Sequence, residues 1–335
     1  MPFPLIPVLI AAGTGIVGVV KGAMGISDMN QAKKTNEQAN NKVKYAKSQL
    51  NKAREDSNSN LTKLGQTKVN VLNHSIQKFI TSFEKLKNYE FETSVGLMEL
   101  NKFVIDKNGF IKLKEEANYA TSIAGGLLTG SVGGALTAYG AYSAVGLLGA
   151  TTATTGATIG GLTGIAAQNA TLAWLGGGAL SVGGTGVFGG TLVLGGLMLG
   201  PALAVGGLFI GAKGAKALDE AKANMAKATK AAAEMNTARD LCKGITERSK
   251  MFTQLLEQLN HHFLPLVDRM EVIIQKSGTN YATFAIEDKH TIAKAYAIAG
   301  AIKSVLDTPI LTDNGKLTTE SAQKVTEIKT FISKL

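Results

Sequence analysis

The chain has 335 residues, of which 45% are hydrophobic and 18% charged, with 39 glycines and a formal net charge of +10. That charge is not spread evenly: residues 117–212, between Glu116 and Lys213, are 96 positions without one Asp, Glu, Lys, Arg or His, and they hold 26 of the 39 glycines. An ordinary soluble domain carries a charge at about every fourth residue, so this pattern argues against a wholly soluble enzyme. A single cysteine, Cys242, excludes an intramolecular disulfide framework and a multi-cysteine metal site.

Residues 1–26 are apolar, with no charge before Lys21. Pro2, Pro4 and Pro7 keep the start extended, and a helix from Pro7 to Ile26 would span about 30 Å, the hydrocarbon thickness of a bilayer. A signal peptide would need positive charge before the apolar run, and here it follows, so the segment reads as a retained membrane-seeking helix.

Residues 27–116 carry 16 Lys/Arg against 11 Asp/Glu. Val69, Leu72, Ile76, Phe79, Phe83 and Leu86 recur at steps of three and four, which predicts an amphipathic helix with coiled-coil packing. Asn30 to Asn60 reads as a solvated helix, and Asp106-Lys-Asn-Gly109 reads as a turn with glycine available for a positive φ.

Within 117–212, so many glycines disfavour an isolated helix in water, at about 1 kcal/mol each. In a bilayer, small residues four apart let helices approach closely. Gly126, Gly130, Gly134 and Ala138 form one such run and Gly156, Gly160, Gly164 another, continued by the pairs Gly186/Gly190, Gly196/Gly200 and Gly207/Gly211. The apolar segments fall at roughly 122–150, 157–175, 179–200 and 202–212. Basic arms on both sides favour one shared, cytoplasmic face and hence two or four crossings or a re-entrant hairpin. The competing reading is a hairpin buried under the arms of a soluble helical protein. Lys213, Lys216, Lys222, Lys227 and Lys230 follow directly and suit a segment at an anionic membrane surface, which needs only diffuse positive charge; a solvated alanine-rich helix is their plainer reading.

Residues 213–335 hold 18 Lys/Arg against 14 Asp/Glu. Leu241, Ile245, Phe252, Leu255, Leu259, Phe263, Leu266, Met270 and Ile273 form a second long stripe, which Pro265 should kink or interrupt and Ser277-Gly278 should end. A further helix presents Ile292, Ala295, Tyr296, Ala299, Ile302 and Leu306 on one face, and Pro309 with Asp313-Asn-Gly315 makes a loop before a short terminal helix. The expected architecture is all-α: an N-terminal apolar helix (1–26), long amphipathic arms (27–116 and 213–335), and a glycine-rich hairpin insert (117–212).

Sequence motifs add no chemistry. Gly184-Thr-Gly186-Val-Phe-Gly189 matches a dinucleotide pattern but lacks its strand and its acid, the next being Asp219. His74, His261, His262 and His290 are scattered apart from one adjacent pair, which points about 100° apart on a helix and suits no shared metal. Cys242 sits at an apolar helix position that suits packing. The expectation is therefore no enzyme, no cofactor and no metal. Only four of the 35 basic residues are arginine, which argues against nucleic acid as the partner.

Long amphipathic arms around a glycine/alanine-rich insert resemble the helical pore-forming toxins. Leu172-Ala-Trp-Leu-Gly-Gly-Gly-Ala179 through Leu199-Gly-Pro-Ala-Leu-Ala-Val205 also resembles a bacterial family of glycine-rich membrane-associated proteins. The resemblance implies a bilayer as partner, homo-oligomerisation, and residence at a bacterial inner membrane with cytoplasmic arms, after a soluble phase or from synthesis. The rival expectation is a scaffold presenting coiled arms to a partner such as a membrane-remodelling GTPase.

Overall fold

The computed structural model describes residues 26–89, 103, 105–127, 136, 139–141, 217–312 and 316–335, with the backbone alone at 26–29, 122–127 and 217. The described residues are helical and form no strand beyond two isolated bridges. Helix α1 runs Ile26–Asn70, passes through a π-helical turn at Val71–Ile76 and continues as α2, Gln77–Phe83. Then come α3 (Lys107–Leu127), α4 (Ala217–Ser277), a 3-10 turn at Tyr281–Thr283, α5 (Ile286–Asp307) and α6 (Thr319–Ile332).

A seven-residue repeat aligns the two long helices. In α4, Ala221, Ala228, Met235, Cys242, Ser249, Leu256, Phe263 and Met270 follow one another at intervals of seven, and all are fully buried. On α1, Ala32, Ala39, Ala46 and Ala53 form one buried column and Val43, Leu50, Ser57 and Leu64 a second. Such a repeat keeps one face against a partner helix and gives a left-handed supercoil. The polarity of the pair is parallel. Asn224 donates to Asn36 Oδ1 (3.2 Å), Lys42 to Thr229 Oγ1 (3.1 Å), Lys78 to Asp268 Oδ1 (2.6 Å) and Ser82 to Glu271 Oε1 (3.2 Å). Their sequence offset stays at 187–190 residues from one end to the other. The continuous run from α1 through α2 and the helix α4 each rise ~90 Å at 1.5 Å per residue.

The seam grades from alanine to aromatic. Its first half is a narrow two-helix stalk, since alanine lets helix axes approach. The second half widens into a head as α3 and α5 return alongside. Phe79 is its centre, with ring centroids at 5.3 Å from Phe83, 5.4 Å from Phe263, 6.2 Å from Tyr296 and 6.4 Å from Phe110. All six of the expected α1–α2 stripe residues, Val69 to Leu86, are buried, and so is the whole α5 face from Ile292 to Leu306. Of the α4 stripe, Leu241 and Leu266 are half-buried against the core and the others are buried.

Three local expectations need correction or detail. Asp106 opens a helix rather than a turn, because its Oδ1 accepts from Gly109 N at 2.7 Å and so caps α3. Pro265 does not interrupt α4: it lies on the exposed face with His261 and Leu264, where water can satisfy the carbonyl it leaves unpaired. Gly278 does end that helix, with φ +82 and its N–H on Ile274 O at 3.0 Å. Helix α3 runs unbroken past Glu116, the last charge before the uncharged block, to Leu127.

Backbones meet closely where glycine permits it. A Cβ on Gly300 of α5 would collide with the Phe103 carbonyl, which cannot be moved cheaply. A Cβ on Gly244 of α4 would meet only Leu317 Cδ1, at 2.8 Å, the free end of a flexible side chain. Gly300→Ala should therefore destabilise the head by about 1–3 kcal/mol through overpacking. Gly244→Ala should change little or add up to about 1 kcal/mol of helix propensity. Urea denaturation of the two variants followed by circular dichroism checks the contrast.

Candidate functional site

The π-helical turn marks the place where the chain gathers its buried charge. π turns are rare and cluster at functional sites; this one turns both Val71 and Leu72, and then both Ser75 and Ile76, inward. One turn before it, Lys68 is fully buried. Its Nζ donates to the carbonyl of Tyr139 at 3.0 Å and stands 5.6 Å from the centre of the Tyr139 ring. From α3, Glu116, also fully buried, receives Lys303 Nζ of α5 at 3.2 Å, and Lys303 reaches Asp307 Oδ2 one turn on at 2.8 Å. Four charges, two of each sign, thus share one interior with Tyr139. Among the described residues, Glu116 Oε2, Asp307 Oδ1 and Tyr139 OH have no hydrogen-bond partner.

Residues 136 and 139–141 belong to the uncharged block, and they are core residues of the head. Leu136, Tyr139 and Ala141 are buried. The segment crosses α1 at a reciprocal glycine contact: Gly65 lies against the Leu136 carbonyl and Gly140 against the Leu61 carbonyl, and a Cβ on either would collide. Ala141 O then accepts from Ile310 N (2.9 Å) and Leu311 N (3.2 Å), past the end of α5. The first apolar segment, 122–150, is therefore part of the head over these residues. Small residues give close approach at Gly65 and Gly140, which are not members of the runs four apart. Of those, Gly126 lies in the last turn of α3, while Gly130, Gly134, Gly156, Gly160, Gly164, Gly186, Gly190, Gly196, Gly200, Gly207 and Gly211 lie outside the described residues.

The other singled-out residues are dispersed. Lys222, Lys227 and Lys230 are exposed on α4, whereas Lys213 and Lys216 lie outside the described residues, as do residues 1–25 and the dinucleotide-like run from Gly184. Cys242 is a buried seam residue whose thiol is pushed up by burial, away from reactivity. His261 and His262 are exposed with ring centroids 5.8 Å apart, and no group of three metal-binding side chains occurs among the described residues. An open groove of about 580 Å³ on the solvent face of α1, lined by Lys44, Lys47, Ser48, Asn51, Lys52 and Glu55, carries no convergent chemistry. Among the described residues, no helix is long and apolar enough to cross a membrane. Comparison with protein-family models, curated proteins and solved structures finds no match to this chain.

The buried charges oppose one another in pH. Burial pushes Lys68 down to about 7, with Asp307 and Glu116 pulling the other way. Burial raises Glu116 to about 7, with the Asp307 charge adding and Lys303 opposing. Lys303 keeps its proton despite burial, because Glu116 and Asp307 face it. The folded chain holds the Glu116 proton above its unfolded pKa of about 4.3, so this group's contribution to stability falls from there to about pH 7. The unfolded chain holds the Lys68 proton up to about 10.4, so stability rises between about 7 and 10. The cluster's cost is thus greatest near neutrality. Lys68→Met removes the second limb. The stability of the parent minus that of the variant should then grow with pH above 7, by at most ~1.4 kcal/mol per pH unit. Urea titrations from pH 6 to 10 measure the slope, and parallel curves would place the proton elsewhere.

Proposed function

We propose that this is a non-enzymatic, membrane-inserting helical protein that oligomerises and permeabilises or remodels a bilayer, in the manner of a toxin or a defence effector. The observation that carries this reading is that α1 and α4 satisfy each other. Among the described residues their apolar seams close on one another, so the arms form one body. Residues 142–212 have no charge and 20 glycines. Burying that stretch in lipid satisfies its apolar surface.

In this reading the inserting stretch is 142–212, since Leu136, Tyr139 and Ala141 are buried in the head. Because the arms are one body, both ends of that stretch stand on the same side of the bilayer. Seventy-one residues hold about three spans of ~20, and an even number is needed, so two crossings or a re-entrant hairpin fit. The basic arms favour the cytoplasmic face of a bacterial inner membrane.

The test is dye release from vesicles of phosphatidylglycerol and phosphatidylcholine, with flotation run on the same samples. Val193→Asp or Leu194→Lys should cost about 2.5–3.5 kcal/mol at the bilayer centre. Release should fall while the circular dichroism of the arms is unchanged. Replacing 142–212 by a Gly/Ser linker of about 40 residues, long enough to bridge the stalk, should abolish release and leave a folded head. A parent protein that floats but never releases dye points instead to a membrane-anchored scaffold. Charged variants that behave like the parent would show that this segment does not cross.

A further inference from the structure

Resting on that reading, we infer that the bilayer is met by one end of the molecule, the stalk tip where α1 and α4 begin, and that the lipid it fits is anionic. The tip is defined by the parallel register. Asn36 pairs with Asn224 and Lys42 with Thr229, so Ile26 and Ala217 start side by side, two or three turns before these bonds. An antiparallel pair would have placed those two starts ~90 Å apart. Chain continuity then brings two apolar stretches to one place. Residues 1–26, with no charge before Lys21, lead into α1, and the uncharged block ends at Ala212, five residues before α4.

Charge at the tip has the matching sign. Residues 26–42 and 217–230 carry six lysines, Lys33, Lys34, Lys42, Lys222, Lys227 and Lys230, against four carboxylates, Asp28, Glu37, Asp219 and Glu220. All six lysines are exposed. A lysine close to an anionic surface gains about 1 kcal/mol, and the attraction fades within a Debye length, so those nearest the tip dominate. Chain length permits the arrangement. Gly140 sits level with Leu61, ~50 Å from the tip along α1. Covering that distance takes about 15 extended residues, which leaves enough of 142–212 for two crossings. The stalk therefore stands the head ~50 Å off the membrane.

The experiment places a donor dye at either end of the full-length protein. In a Cys242→Ala background, Gln38→Cys labels the tip and Lys276→Cys the far end of α4; both positions are exposed. Energy transfer is read to an acceptor lipid in phosphatidylglycerol/phosphatidylcholine vesicles, with flotation on the same samples. The tip label should transfer several-fold more strongly than the far label. In addition, Lys33→Glu with Lys34→Glu and Lys222→Glu should weaken flotation on these vesicles about tenfold or more, and scarcely on phosphatidylcholine alone. Equal transfer from both labels, or stronger transfer from the far label, overturns the tip assignment while the membrane reading stands. Flotation that ignores the lysine changes overturns the anionic preference. Protein that floats with neither vesicle overturns the membrane reading itself, and the tip assignment with it.

Discussion

The parallel seam between α1 and α4 is the constraint on which the rest depends. Two helices in parallel need a connection that returns the whole length of the first, and α3 with Leu136, Tyr139, Gly140 and Ala141 begins that return along α1. Thr121 bonds Asn73, Leu136 meets Gly65 and Gly140 meets Leu61, so the returning chain descends toward the stalk. The second half repeats the plan, with α5 turning back on α4 beyond Gly278. Between the two halves the chain must travel from the head to the stalk tip, and it does so through the uncharged stretch. The seam thus fixes where that stretch leaves the arms and where it rejoins them.

A seam of this kind needs a device to hold its register, since alanine columns resemble one another after every seven residues. Asn36 and Asn224 provide one, as a paired amide in a part-buried position whose hydrogen bond is lost if the helices slip. At the other end the aromatic cluster around Phe79 and the Lys303–Glu116 pair pin the head, where side chains are large and shape-specific. The middle is alanine, Met235, Cys242 and Ser57, which specify little by shape. Register is therefore set from the two ends.

Much of this was legible in the sequence, and the parts that were not share a physical cause. The stripes Val69–Leu86, Leu241–Ile273 and Ile292–Leu306 stand out because their residues are large, and burial follows them closely. The stalk seam was missed because its residues are alanines, which look like solvated helix formers until their seven-residue spacing is counted. Polarity of the pair has no local signature at all; it emerges from matched polar partners such as Lys42 and Thr229. The buried cluster was invisible for another reason. Lys68 and Glu116 look like members of a basic arm, and nothing near them in sequence reveals that Tyr139, 71 residues on, supplies the lysine's acceptor. Glu116 was noticed only as the last charge before the block, which is a fact of order rather than of structure.

That position of Glu116 carries one more consequence. Where uncharged chain meets charged chain, the junction has to satisfy two solvents at once, and here it is placed in neither. The final acid of the arm is inside the head, neutralised by Lys303, while the first residues of the block to be described beyond α3 cover Lys68. A buried ion cluster of this type stabilises less than an apolar core of the same volume, but it is intolerant of partial disassembly, because each charge left behind would be orphaned. Peeling Tyr139 away from Lys68 would leave a buried ammonium without its carbonyl. Leu136, Tyr139, Gly140 and Ala141 therefore belong to the head core although they lie beyond Glu116, so the uncharged block and the helical body overlap over these residues.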